Sequence, residues 1–183
     1  MVLSKTDKAL LSSSVGKIQA QATGSDVLAR MFASFPQTKV YFVGFSDYTA
    51  KGPRVQKHGL TVMTKIIEGI QYLDSLRSFL DALSAKHAHE LMVDPVNFGF
   101  LGECVLSSLA YQLPDFSPEM HCAWDKYLCE FAYLLAEKYR QTSTDGSFRK
   151  NGIFVSLNCS GNNASQHALN LLFFSPLVRF AAV

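Results

Sequence analysis

An all-α fold is what the sequence predicts, because three observations agree. From residue 1 to about residue 140, apolar side chains recur at three- and four-residue spacing, the period of a helix with one buried face. Alternation at period two, the mark of a half-buried strand, is almost absent from the same stretch. Asp94-Pro95 and Ser117-Pro118 each place a capping side chain ahead of a proline, an arrangement that favours the start of a helix. The pattern predicts six or seven helices without an internal repeat.

Taken in order, Ser4 and Asp7 have the spacing of a capping box, and Leu11, Val15 and Ile18 continue one face of a first helix. Val27, Leu28, Met31, Phe32 and Phe35 form the stripe of the second. Pro36 opens a short segment ending near Phe42, and a loop with two glycines and a proline runs from Val43 to Pro53. Val55, His58, Val62, Ile66, Gly69 and Leu73 lie on one face of a longer helix. Leu76, Leu80, Leu83, His87 and Leu91 do the same for the next, a weaker helix former because of its Ser and Asp content. The helix after Asp94 presents Phe98, Leu101, Val105 and Leu109, and the one after Ser117 presents Met120, Trp124, Phe131 and Leu135.

The chain has 183 residues, 48% hydrophobic and 17% charged, which suits one domain with a real core and excludes a disordered chain. A net charge of +2 with no basic run beyond two adjacent residues argues against a protein organised around nucleic-acid phosphates. No stretch reaches the roughly 18 apolar residues of a membrane span, and residues 1–20 lack the unbroken apolar stretch of a secretion signal. The expectation is a cytoplasmic protein with no membrane and no nucleic acid among its partners. Cys104, Cys122, Cys129 and Cys159 would then stay reduced, and with no C-x-x-C pair among them a zinc or redox motif is weakly supported.

After Arg140 the character changes. Residues 141–183 hold Arg149, Lys150 and Arg179 against Asp145 alone, so their +2 equals the charge of the whole chain. Ser, Thr, Asn and Gly dominate through Ser165, and Ala168 to Val183 is apolar but broken by Asn170, Ser175, Pro176 and Arg179. Asn158-Cys-Ser160 and Asn163-Ala-Ser165 match the glycosylation pattern, idle in a chain that is not secreted. The expected division is one domain at 1–140 and a C-terminal extension at 141–183. Two readings stand for the extension: a mostly disordered segment ending in an apolar docking strip, or translated non-coding sequence.

Candidate chemistry rests on histidines. No phosphate-binding glycine loop is present, and the carboxylates are scattered. His58 and His87 each sit on the apolar stripe of a separate helix, where an imidazole is costly unless its nitrogens find partners. Each is therefore either a satisfied core residue or a ligand. Two imidazoles meeting across a pocket lined by Phe42, Val62, Leu83, Val93 and Phe98 would suit a flat, apolar cofactor with a metal at its centre.

Pro36-Gln-Thr-Lys-Val-Tyr-Phe42, Lys57-His-Gly59, His87-Ala-His-Glu-Leu91, Val93-Asp-Pro-Val-Asn-Phe98, Ala123-Trp-Asp-Lys-Tyr127 and Glu137-Lys-Tyr-Arg140 occur in that order. Across residues 1–140 the chain resembles the alpha-type subunits of vertebrate haemoglobins, and its Ala-Trp-Asp-Lys and Ala-Glu-Lys-Tyr-Arg runs resemble the embryonic zeta and the mu or alpha-D branches. The resemblance implies a globin fold of six to eight helices around a haem pocket, with haem b, iron protoporphyrin IX, as cofactor. It implies reversible oxygen binding and transport rather than enzymatic activity beyond a minor peroxidase-like one. Implied partners are O2 and beta-type subunits in an α2β2 hetero-tetramer, a haemoglobin complex in the erythroid cytosol. The alternative is a haem redox protein or sensor, with peroxidase-like or nitrite reductase activity.

By the same resemblance, His87 is the proximal iron ligand, its other ring nitrogen donating to a nearby carbonyl. His58 is the distal residue, donating to bound O2. Phe42 packs on the porphyrin, Leu28 closes the distal side, and Val62, Leu83, Leu91, Val93, Asn97, Phe98 and Leu101 complete the pocket. Gly59 lets two helices approach closely, and His89 faces solvent. Arg30, Phe35, Phe116, His121 and Asp125 match positions in or near a contact with a beta-type subunit. Tyr41, Asp94, Pro95, Val96 and Asn97 match the sliding contact between dimers.

Several positions depart from the pattern. Lys86 stands where the family usually has Leu, and Gly44 and Thr61 where alpha chains commonly offer His and Lys to the haem propionates. These departures imply haem held less tightly, unless Lys86 or Lys57 substitutes. Gln37 and Val40 replace the usual threonines at the switch contact. Arg140 is followed by 43 residues, so it has no terminal carboxylate. That implies higher oxygen affinity and weaker cooperativity in an assembled tetramer.

Overall fold

The computed structural model describes residues 3–142, with side chains described through residue 140. Seven α-helices follow one another: α1 (Lys5–Val15), α2 (Ala20–Ser34), α3 (Pro53–Gly69), α4 (Leu76–Lys86), α5 (Val96–Gln112), α6 (Pro118–Leu135) and α7 (Glu137–Thr142). Short 3-10 segments cover Pro36–Phe42 and Ile70–Tyr72, and a π turn covers His87–Leu91. No strand occurs among the described residues, so the all-α expectation holds. Of the extension expected at 141–183, residues 141–142 continue α7, and the rest, with its glycosylation patterns and apolar strip, lies outside the described residues.

Helix starts follow the local chemistry. Ser4 Oγ accepts from Asp7 N at 3.1 Å while Asp7 Oδ2 accepts from Ser4 N at 2.9 Å, closing the capping box. Ser117 Oγ accepts from Met120 N at 3.2 Å, with Pro118 as the first residue of α6. At α5 the cap is displaced by one residue. Asp94 Oδ1 accepts from Val96 N at 3.0 Å, and Pro95 occupies the cap position.

Three predicted stripes run past the helix that carries them. Ile18 lies in the turn after α1, because backbone bonds from Lys17 N to Ser14 O and from Ile18 N to Val15 O close a tight turn there. Leu73 follows the 3-10 segment rather than extending α3. His87 and Leu91 belong to a π turn, not to a continuous α4.

The core is assembled from the predicted stripes together with side chains between them. Leu11, Val27, Phe32, Val55, Met63, Leu80, Val105, Leu109 and Trp124 are essentially buried, each worth about 1.5–3 kcal/mol or more when removed from water. Tyr127, absent from the predicted stripe, is fully buried too, and its hydroxyl donates to Ile66 O at 2.6 Å. Trp124 Nε1 donates to Ser14 Oγ at 3.1 Å, joining α6 to α1.

The tightest crossing is between α2 and α3. A Cβ built on Gly24 would lie 2.0 Å from Gly59 O, and one built on Gly59 would lie 2.5 Å from Gly24 O. Backbone meets backbone there, as foreseen for Gly59, because neither residue has a side chain.

Two expectations follow. Gly59→Ala forces these backbones apart and should lower stability by about 1–3 kcal/mol, read as a shift in urea midpoint with little change in slope. The second concerns Asp7, which is buried. Burial raises its pKa, yet the bonds from Ser4 and the Lys126 ammonium outweigh that and hold it below the usual carboxylate value. A group with a depressed folded pKa contributes stability present above its unfolded pKa and lost below it. Stability should therefore fall as pH drops below about 4, and Asp7→Asn should flatten that part of the stability–pH curve.

Candidate functional site

His58 follows directly from the α2–α3 crossing, since it is the residue before Gly59. Its ring meets Phe42 edge-on at 5.3 Å between centroids and Phe45 at 6.5 Å. Those two rings are positioned by Phe32 of α2, which contacts Phe42 at 5.0 Å, Phe45 at 6.3 Å and Tyr48 at 5.1 Å. Tyr48 then donates its hydroxyl to Phe42 O at 3.0 Å, fastening the loop back to the 3-10 segment. Burial is the main cause that pushes the His58 pKa below its usual value. At neutral pH the ring is thus neutral, and one nitrogen donates while the other accepts.

His87 is held from the opposite side. Its Nδ1 lies 2.8 Å from Leu83 O. A carbonyl can only accept, so Nδ1 is the donor here and Nε2 is the nitrogen left to face a metal. Phe98 of α5 meets the ring edge-on at 5.3 Å and 85°.

The turn carrying His87 is unusual. The π turn ends at Met92, a non-glycine residue in the left-handed region with φ 50° and ψ 41°, a conformation that costs about 1–3 kcal/mol and persists only where its surroundings impose it. They do so through one carbonyl. His87 O accepts from Met92 N, from Val93 N at 3.3 Å, and from the Tyr139 hydroxyl at 2.6 Å. The same hydroxyl also reaches Val93 O, so α7 clasps both ends of the turn.

The other side chains expected to line the pocket are mostly apolar. Phe42, Val62, Leu83, Val93 and Leu101 are partly buried against the core, and Phe98 is buried. Leu28 is buried, and Leu91 is 49% exposed. Asn97 is buried, its Nδ2 donating to Asp94 O at 2.8 Å. Two imidazoles held by separate elements, His58 on α3 and His87 in the π turn, each meeting the edge of a phenylalanine ring, form a donor set that fits haem.

Remaining positions fall as follows. His89 is exposed, as expected. Lys86 is exposed at the end of α4, and Thr61 donates its hydroxyl to Lys57 O at 3.1 Å. Gly44 O accepts from the Arg54 guanidinium, which places a cation beside this position. Arg30 pairs with Asp26 at 2.7 Å and lies 5.4 Å from the Tyr111 ring. Phe35 stacks on Phe100 at 4.2 Å, and Phe116 meets His121 at 5.9 Å. Tyr41 accepts from Asp94 N at 3.1 Å, and Asp125 accepts from Cys129 Sγ at 3.8 Å.

Sequence reasoning missed Met92 and the role of Tyr139. Nothing in their spacing reports a π turn, although Tyr139 lies within one of the motifs quoted for the resemblance.

Comparison with known proteins identifies the family. A family model described as globin matches residues 25–135. Haemoglobin subunit alpha of Squalus acanthias is 43% identical over 141 residues, 76% of this chain and 100% of that protein. Haemoglobin subunit zeta of Equus caballus is also 43% identical, over 143 residues with the same coverage, so overall identity does not separate the alpha and zeta branches. Among solved structures, deoxy-form haemoglobin from Dasyatis akajei superposes with a TM-score of 0.74 at 41% identity, covering 76% of this chain and 100% of that one.

The clasp yields an expectation. Tyr139→Phe keeps the ring and deletes the hydroxyl, at a cost of about 0.5–1.5 kcal/mol. Amide exchange at Met92 and Val93 should accelerate in the variant, while exchange in α1 stays unchanged.

Proposed function

Because this chain belongs to the globin family, we propose that it binds haem b and carries dioxygen reversibly as an alpha-type haemoglobin subunit. The observation that carries this reading is the pair of imidazoles, one on α3 and one in the π turn after α4, with His87 Nδ1 committed to Leu83 O and Nε2 left available. Haem supplies the ferrous iron at which dioxygen binds and leaves.

The chain supplies orientation, exclusion of water and one hydrogen bond. His87 is the iron ligand, its ring plane set by the Leu83 carbonyl and by the edge of Phe98. His58 is the distal residue, neutral and able to donate N–H to dioxygen. Phe42, Val62, Leu83, Leu91, Val93, Asn97, Phe98 and Leu101 form the rest of the pocket, whose apolar walls exclude water and so slow oxidation of the iron. Residues 1–140 constitute the haem-binding domain. Beta-type subunits in an α2β2 tetramer are the proposed partners, within the erythroid cytosol. Arg30, Phe35, Phe116, His121 and Asp125 serve one contact and Tyr41, Asp94, Pro95, Val96 and Asn97 the other. The exposed apolar side chains of Met92, Val96, Val40 and Tyr41 support the second contact.

The test is the ferrous absorption spectrum of the full chain loaded with haem, recorded with and without O2 and CO. A five-coordinate deoxy spectrum converting reversibly to a stable oxygenated form is expected. A six-coordinate deoxy spectrum, or rapid oxidation in air, would favour the redox reading. His58→Val should speed dioxygen release roughly 5- to 30-fold, the value of a lost hydrogen bond of about 1–2 kcal/mol, and leave CO release nearly unchanged.

A further inference from the structure

Arg77, Asp81 and Ser84 stand at four- and three-residue spacing on α4, which places them along one stripe of the helix. All three meet α7 or the corner before it. Arg77 pairs with Glu137, and Asp81 pairs with Lys138 Nζ at 2.7 Å. Both α4 partners are largely exposed, at 61% and 58% of their side-chain surface, so these pairs contribute little to holding the helices in register.

Ser84 differs from them in burial, at 1% exposure. Its hydroxyl donates to Leu135 O at 2.8 Å and accepts from Lys138 N at 3.2 Å. Leu135 is the last residue of α6, and Lys138 lies in the first turn of α7. Terminal carbonyls and first-turn amides have no partner within their own helices, and one buried hydroxyl satisfies one of each. Three residues later comes His87, and the residue before Ser84 supplies the carbonyl that binds His87 Nδ1.

We propose that Ser84 is a positioning residue for His87. It locks the last turn of α4 to the α6–α7 corner and thereby sets the Leu83 carbonyl that orients the imidazole. The inference rests on His87 being the iron ligand. Loss of the Ser84 hydroxyl frees that turn to take several positions, and the ring follows it.

The experiment uses the full chain loaded with haem, in the ferrous ligand-free state, and reads the iron–imidazole stretching band by resonance Raman together with the urea midpoint. Ser84→Ala should shift that band and broaden it. Ser84→Cys, close in volume with a weaker hydrogen bond, should give an intermediate shift and carries the test if the alanine variant does not fold. Ser14→Ala removes an equally buried hydroxyl whose partners are Leu11 and Trp124 rather than α4 or α7, and should lower the urea midpoint without moving the band. The proposal is overturned if the Ser84 variants lose stability with band position and width unchanged, or if Ser14→Ala moves the band as much. His87→Gly separates the two layers of the argument. It should abolish the band, and a band that survives it removes the functional reading and the Ser84 proposal together.

Discussion

The placement of His58, and of the aromatic rings around it, depends on two helices meeting without side chains between them. At Gly24 and Gly59 the α2 and α3 backbones touch, leaving no room for even a methyl group. That contact sets how far α3 stands from α2, and α2 carries Phe32, against which Phe42, Phe45 and Tyr48 are arranged. His58 lies one residue from the crossing and meets two of those rings. A wider spacing would move the imidazole away from its aromatic support and admit water around a nitrogen now largely shielded.

The opposite wall uses a different device. His58 is placed by close packing, whereas His87 is placed by polar bonds to main-chain atoms. Its ring binds the carbonyl four residues earlier, and its own carbonyl gathers donors from Met92, Val93 and Tyr139. Convergence on one acceptor holds Met92 in a left-handed conformation and accounts for a π turn where α4 would otherwise continue. One histidine is thus held in a rigid interface and the other on a segment whose position follows α7.

Legibility of these features in the sequence divides along physical lines. Helices with one buried face announce themselves by period, so α2, α3, α5 and α6 were readable from Val27, Val55, Phe98 and Met120 onward. Capping chemistry is local, and Ser4, Asp7 and Ser117 do what their spacing predicts. The histidine pair was readable as residues on apolar stripes, although the motifs, rather than spacing, singled out their chemistry. What stayed hidden depends on main-chain geometry or distant partners. Nothing local distinguishes the end of α1 before Ile18 from its continuation, or the π turn at His87 from another turn of α4. Tyr127 and Ser84 find their partners 61 and 51 residues away, separations at which no local pattern operates.

The single tryptophan of the chain sits in none of this. Trp124 is fully buried in the α1–α6 seam, with its indole N–H on Ser14 Oγ. Its fluorescence therefore looks out on a part of the molecule remote in construction from the histidines. A pigment held at the histidines would quench that emission, so brightening at constant wavelength marks departure of the pigment from an intact fold. A red shift marks water reaching the seam. The protein carries its own two-channel recorder, separating emptying of the site from melting of the scaffold.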